Sequence, residues 1–161
     1  MFLTVHAATG AAIGMIVPSV PAAFALGMVS HFLLDRVPHY DPPIISGTIR
    51  DGVFKHPVMR RFVAISVCDL VAACALTAIL RASVRPVNSW AFASGAFGGI
   101  LPDLMFGLYR LTNNRWLGIY NRWHEANHFD PKKLPVTFIS GMIPQLIALG
   151  LALVFMKPSP G

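Results

Sequence analysis

Seven side chains stand out because an imidazole or a carboxylate sits in or beside an apolar run: His6, His31, Asp35, Asp69, Asp103, His124 and His128. An ionisable group inside a membrane span costs roughly 2.5 to 3.5 kcal/mol on insertion scales, so it is kept for a partner or a function. Imidazole and carboxylate are the donors that zinc and related divalent ions take. His31 and Asp35 are four apart, as are His124 and His128, so each pair projects from one helix face and can give two ligands to one ion. Three carboxylates with four imidazoles exceed the needs of a single tetrahedral zinc. They suit two ions about 3.5 to 4 Å apart, an arrangement of many phosphoester hydrolases. His39 and Asp41, close behind in Pro38-His39-Tyr40-Asp41, can add ligands or orient the imidazoles from behind.

The segment His124-Glu125-Ala126-Asn127-His128 also fits HExxH, in which two histidines bind zinc and the glutamate acts on the attacking water. Glu125 is the chain's single glutamate. A membrane zinc protease would draw its third ligand from Asp103 or Asp35. Each residue also has an ordinary structural use. His6 can hydrogen-bond at an interface, Asp35 can end a helix or pair with Arg36, Asp69 can pair with Arg61, and Asp103 after Pro102 can cap a helix start. What favours a shared site is that the topology below brings all seven to one side and one depth.

The elements that must position them are membrane helices. The 161 residues are 55% hydrophobic and 12% charged, against roughly 25% charged in a soluble domain. With 13 Lys+Arg and 7 Asp+Glu there is too little charge to cover a water-facing surface. Apolar runs at 2–17, 20–34, 62–80, 89–109 and 136–156 predict five spans in one all-α membrane domain covering 1–161. The first two runs are short and need tilt, thinning or shelter by neighbours. Between the last two, Trp116, Tyr120 and Trp123 recur at helical spacing beside Arg115 and Arg122, predicting an interfacial amphipathic helix over 113–129.

With five spans, one side carries ten basic residues, from Arg36 to Lys133, and the other carries Arg81, Arg85 and Lys157. The positive-inside rule then puts the N-terminus and the His/Asp group at the cytoplasmic face. The net charge of +6 is scattered through loops without an aromatic-interleaved platform, which argues against a nucleic-acid partner and for the lipid bilayer. Cys68 and Cys74 lack CxxC spacing and read as small core residues. Gly10 with Gly14, and Gly95 with Gly98 and Gly99, mark close helix contacts. A faint repeat aligns Gly27 to Asp35 with Gly95 to Asp103, as though two helical hairpins faced each other.

Val5-His6 opening a span, Ser30-His31-Phe32-Leu33-Leu34-Asp35 with Pro38-His39, Gly99-Ile100-Leu101-Pro102-Asp103, and the late His124/His128 pair together resemble the small prokaryotic membrane-bound metal-dependent hydrolases, themselves distantly similar to all-helical zinc phospholipase C enzymes. The resemblance implies a multi-pass protein of the prokaryotic cell membrane with hydrolytic activity. It implies metal ligands at His6, His31, Asp35, Asp103, His124 and His128; Asp69 is added from its burial cost alone. The expected function is a metal-dependent hydrolase holding one or two divalent ions, zinc first among them, with phosphoester or phospholipid substrates. In that expectation Glu125 or Asp41 is the general base. The alternatives are a zinc membrane protease using His124, Glu125 and His128, and a non-catalytic protein whose cluster binds metal or holds helices together.

Overall fold

The computed structural model describes residues 1–84, 86–130 and 134–156, and its elements are helical throughout. They are α1 (Leu3–Ile16), α2 (Val20–Leu34), two short 3-10 turns at Ile49–Asp51 and Val53–Lys55, α3 (Pro57–Val84), α4 (Ser89–Thr112), α5 (Arg115–Asn127) and α6 (Phe138–Phe155). Three helices, α3, α4 and α6, are long and apolar enough to cross a membrane. Of the five expected crossings, the first two, α1 and α2, have 14 and 15 residues and fall below that length. At about 1.5 Å per residue they reach little more than about 20 Å against a hydrocarbon core of about 30 Å. The third apolar run lengthens in the other direction: α3 begins at Pro57, a favoured first helical residue, and carries Arg60, Arg61 and Arg81 at its ends.

The helix at the centre is α1, packed against α2, α3, α4 and α6. Its sequence shows no amphipathic period because most of its faces are covered: Ala7, Ala8, Ala11 and Gly10 are all buried. Small residues let the backbones approach. A Cβ at Gly10 would collide with the Gly95 carbonyl of α4, and one at Gly14 would collide with Ala91. The same holds for Gly27 of α2 against Gly95, so the two segments of the faint repeat pack on one another. On α2 the buried residues Ala23, Gly27 and His31 recur every four positions and Asp35 continues the stripe at the helix end, while Leu26, Val29 and Leu33 lie exposed.

The outer surface is apolar where a soluble protein's would be polar. Ile65, Val71 and Ile79 of α3, and Ile139, Leu146 and Phe155 of α6, are all more than 40% exposed. Lipid is the solvent that accepts such a surface. Cys68 and Cys74 belong to it: both are exposed on α3, not small core residues as expected, since α3 buries chiefly Met59 and Ala73.

The buried start of α1 explains two polar residues that look misplaced in apolar helices. A helix N-terminus leaves backbone N–H groups without intrahelical partners, and Phe2 supplies no side-chain cap. Asp69 of α3 accepts from the Leu3 and Thr4 amides at 2.6 and 3.2 Å and from the Thr4 hydroxyl at 2.5 Å. Gln145 of α6 accepts from the Phe2 amide at 2.9 Å and donates to the Tyr40 and Gly141 carbonyls. α1 is therefore capped from two other helices, which fixes the depth at which His6 sits.

Candidate metal centre

Six of the helix-borne and loop-borne residues converge where the α2 end, the middle of α4 and the end of α5 meet. His31, Asp35, Asp103 and His124 each offer a ligand atom within 4.8 Å of the other three. Asp35, His39 and His128 form a second group by the same measure. Asp35 belongs to both.

Local structure accounts for each position. His31 lies one turn before Asp35, which is the C-cap of α2, so both point from the same buried stripe. Asp103 lies inside α4 and is not the helix cap its position after Pro102 suggested. Asn114 caps α5 by accepting from the Trp116 and Leu117 amides, and that helix carries His124 inward and leaves Trp116 and Trp123 exposed. His128 is the residue just beyond α5, and the following amide, Phe129, donates to the Asp35 carbonyl at 2.7 Å, tying the end of α5 to the end of α2.

Three of the imidazoles are held in one tautomer. A backbone carbonyl can only accept, so Nδ1 must donate where His31 meets the Gly99 carbonyl at 2.8 Å, His39 the Val37 carbonyl at 2.7 Å, and His128 the Phe129 carbonyl at 3.0 Å. In a neutral ring that leaves Nε2 as a lone pair directed into the cluster, the arrangement of a metal-binding histidine whose other nitrogen is fixed from behind. Burial, reinforced by neighbouring His31, lowers the His124 pKa to about 4, so this ring is neutral near pH 7. Ligand imidazoles must be neutral.

The result is a set of potential ligand atoms facing one another. His31 Nε2 lies 3.0 Å from Asp35 Oδ2 and 3.2 Å from His124 Nε2, and His124 Nε2 lies 3.6 Å from Asp103 Oδ1. The two remaining imidazole-to-carboxylate separations are 3.9 and 4.0 Å. A tetrahedral ion with ligands at about 2.0 to 2.1 Å separates those ligands by about 3.3 to 3.4 Å. Donor types and spacing both fit such an ion. Asp35 Oδ2 is fully buried without a hydrogen-bond donor among the described residues, which is the condition a cation would relieve.

Around the second group, His39 Nε2 and His128 Nε2 approach Asp35 at 3.9 and 3.5 Å, and Asp41 Oδ2 lies 2.9 and 3.4 Å from the same two nitrogens. The Met1 amino nitrogen sits 3.0 Å from Asp35 Oδ1, 3.1 Å from Asp41 Oδ1 and 2.7 Å from His39 Nε2. Burial works against its charge, yet Asp41 and Asp35 raise its pKa to about 10. Burial likewise opposes the charge of Asp41, and the Met1 ammonium and His39 hold its carboxyl well below the usual carboxylate range. The electrostatics here favour a cation. Tyr120 lies in the same negative field; burial first, then Asp103 and Asp35, pushes its hydroxyl upward, so it stays protonated.

Of the seven expected ligands, five fall into the two donor groups: His31, Asp35, Asp103, His124 and His128. His6 does not offer an atom to either. Its Nε2 lies 3.1 Å from Asp35 Oδ1 and its ring is 4.1 Å from that of His31, so it orients Asp35 from the α1 side. Asp69 stands apart on the α1 start, as described above. The His124/His128 pair, expected to share one ion, divides between the groups, while His31 and Asp35 share one. Of the two residues secondary in the sequence, His39 sits in the second group and Asp41 lies 2.9 Å from its Nε2. Glu125 is exposed and lines the cavity beside the cluster together with Asp41. Arg110 was counted among loop charges, but α4 runs on to Thr112 and buries it. Its spacing of seven from Asp103, two helical turns, was the available clue.

Comparison with known proteins adds no relative: no protein-family model, curated protein or solved structure matches the chain.

Proposed function

We propose that the protein is a membrane-embedded, metal-dependent hydrolase of phosphoesters, phospholipids among them, whose site opens toward the cytoplasmic leaflet. One observation carries this: two His/carboxylate donor groups share Asp35, whose buried Oδ2 faces the imidazole nitrogens of both groups and has no hydrogen-bond donor among the described residues. In this reading His31, Asp35, Asp103 and His124 hold one ion. Asp35, His39 and His128 hold a second, with Asp41 beside it. Bound metal would supply an acidified water as nucleophile and a Lewis acid for the phosphoryl oxygens. The chain's own part is to fix the ligand tautomers through the Gly99, Val37 and Phe129 carbonyls and to keep Asp35 in place through His6. Asp41, exposed at the mouth of the cluster but 2.9 Å from His39 Nε2, is the better placed of the two candidate bases to take the proton of an attacking water.

The cytoplasmic orientation follows from the distribution of Lys and Arg, and labelling of a cysteine placed at Lys55 only from the cytoplasmic side checks it. The function is tested by elemental analysis and turnover. Protein purified in detergent without chelator should carry up to two divalent ions per chain and release product from a generic phosphodiester or a short-chain phospholipid. Chelator should abolish turnover, and re-added zinc should restore it. A folded parent that takes up no metal would remove the proposal, and metal-dependent peptide cleavage without phosphodiester turnover would favour the zinc protease.

A further inference from the structure

Beside the cluster lies a cavity of ≈ 540 Å³, within the range of about 300 to 1,000 Å³ typical of small-molecule sites. Its wall has two characters. Asp41, Asp103, His124 and His128 line one part, whereas the α3 side is mostly apolar, with Phe62 and Val63 prominent beside Ser66 and Asp69. On α4, Asp103, Phe106, Gly107 and Arg110 follow the i, i+3, i+4, i+7 spacing of one helix face, and all four line the cavity. Arg110 is the sole Lys or Arg among the lining residues.

Arg110 is 6% exposed, and no carboxylate lies within ion-pair distance of it among the described residues. A guanidinium has five N–H donors. One is taken by the Ile45 carbonyl, and the Nε–H is fully buried without a partner. The guanidinium rests over the Phe106 ring at 5.4 Å, and that ring stacks on His124 at 6.1 Å, so a continuous path of contacts runs from the cation to the metal-binding group. A buried guanidinium with unused donors is costly unless something anionic completes it. Phosphate fits the planar fork of donors.

We infer that Arg110 is the anion-recognition residue of this cavity and that its occupant is a lipid bearing a phosphate group, held with the phosphate at Arg110 and the apolar chain against the Phe62 and Val63 side of α3. The inference rests on the hydrolase reading for what happens to that phosphate, but the binding mode stands on the cavity and the guanidinium. Phosphate alone would leave the apolar wall bare, and a neutral lipid would leave the buried guanidinium Nε–H without an anionic acceptor. A single-chain phosphate lipid meets both.

The test is equilibrium binding to the full chain in detergent, as purified. The probes are a lysophosphatidate, the monoacylglycerol of the same chain, and glycerol phosphate, with metal content measured in parallel. The parent should prefer the lysophosphatidate over the monoacylglycerol by about tenfold or more, the scale of one charge-assisted contact. R110Q should lose that preference with metal content unchanged, and R110K should keep part of it. V63F should weaken both amphiphiles by a similar factor and leave the preference intact, which keeps the test decisive if R110Q does not fold. A parent without preference, or R110Q retaining it, overturns the inference. Glycerol phosphate competing as well as the lysophosphatidate overturns the lipid assignment. If the preference depends on Arg110 while the parent takes up no metal, this inference survives and the hydrolase proposal falls; metal uptake without any preference gives the reverse.

Discussion

Asp69 and Asp35 present the same signal in sequence, a carboxylate in or at the end of an apolar helix, yet they stand in opposite surroundings. At the α1–α3 seam, Asp69 receives three hydrogen bonds from two amides and a hydroxyl at the positive end of a helix. At the α2 end, Asp35 Oδ1 takes the Met1 ammonium and His6, while Oδ2 faces the Nε2 atoms of His31 and His128, whose Nδ1 protons go to backbone carbonyls, and has no donor among the described residues. The first carboxylate is satisfied by the fold, and on the proposed reading the second would be satisfied by a metal cation. What makes a buried acid a ligand is therefore the type of group it faces, and burial cost alone does not decide it.

The sharpest way to break that contrast is to remove a shared donor. Asp35→Ala and His31→Ala should each lower metal affinity by more than about 100-fold, beyond the 10- to 100-fold typical when a supporting partner is lost. Metal per chain after dialysis against a weak chelator is the measurement. Asp35→Ala should empty both positions, because Asp35 belongs to both groups, whereas His31→Ala should spare the second. Equal metal content in the parent and in Asp35→Ala would erase the distinction between the two carboxylates.

His6 tests the next level. It bonds Asp35 without joining either donor group, so His6→Phe should keep both ions but weaken them by about 10- to 100-fold, and His6→Gln should recover part of that loss. A drop as large as that of His31→Ala, with one ion missing, would make His6 a ligand after all.

At the seam the expected effect moves from metal to stability. Asp69→Ala leaves the Leu3 and Thr4 amides without their acceptor and should cost about 1 to 2 kcal/mol, in the range of a lost helix cap. Asp69→Asn, which retains one acceptor oxygen, should cost less. Both should bind metal like the parent, read as a lowered unfolding midpoint in detergent with unchanged stoichiometry.

The helices were legible because an apolar run of sufficient length has few alternatives, although α3 starts five residues before its expected run, at Pro57. That His31, Asp35, Asp103, His124 and His128 would come together was legible from type and spacing. Asp69 misled because its donors, Leu3 and Thr4, lie more than sixty residues away and are backbone and hydroxyl groups that no motif advertises. Gln145 went unnoticed for the same reason. The division of His124 from His128 was invisible for a different one: helical spacing assumes a helix through both, and α5 ends at Asn127, so His128 leaves the helix face and turns to the second group. Arg110 hid in a count of loop charges because α4 outlasts its apolar run by a turn.

The smallest expected effect concerns Glu125, and it bears on the same contrast, since an acid beside a metal group can be part of the chemistry or merely close to it. In a zinc protease the glutamate of HExxH works on water held by an ion that both flanking histidines bind. Here those histidines divide between two groups, and Glu125 is exposed at the cavity wall. Asp41, by contrast, sits 2.9 Å from His39 and 3.4 Å from His128. Asp41→Asn should therefore lower phosphodiester turnover by about 100-fold or more, the range for loss of a general base. Glu125→Gln should leave metal content unchanged and turnover within about threefold, as for a solvated surface group. Steady-state turnover of the parent and both variants, each with its metal assayed, decides the matter. Full metal with abolished turnover in Glu125→Gln would move the water-activating role onto α5, and an unaffected Asp41→Asn would leave the second group as a binding site without a base.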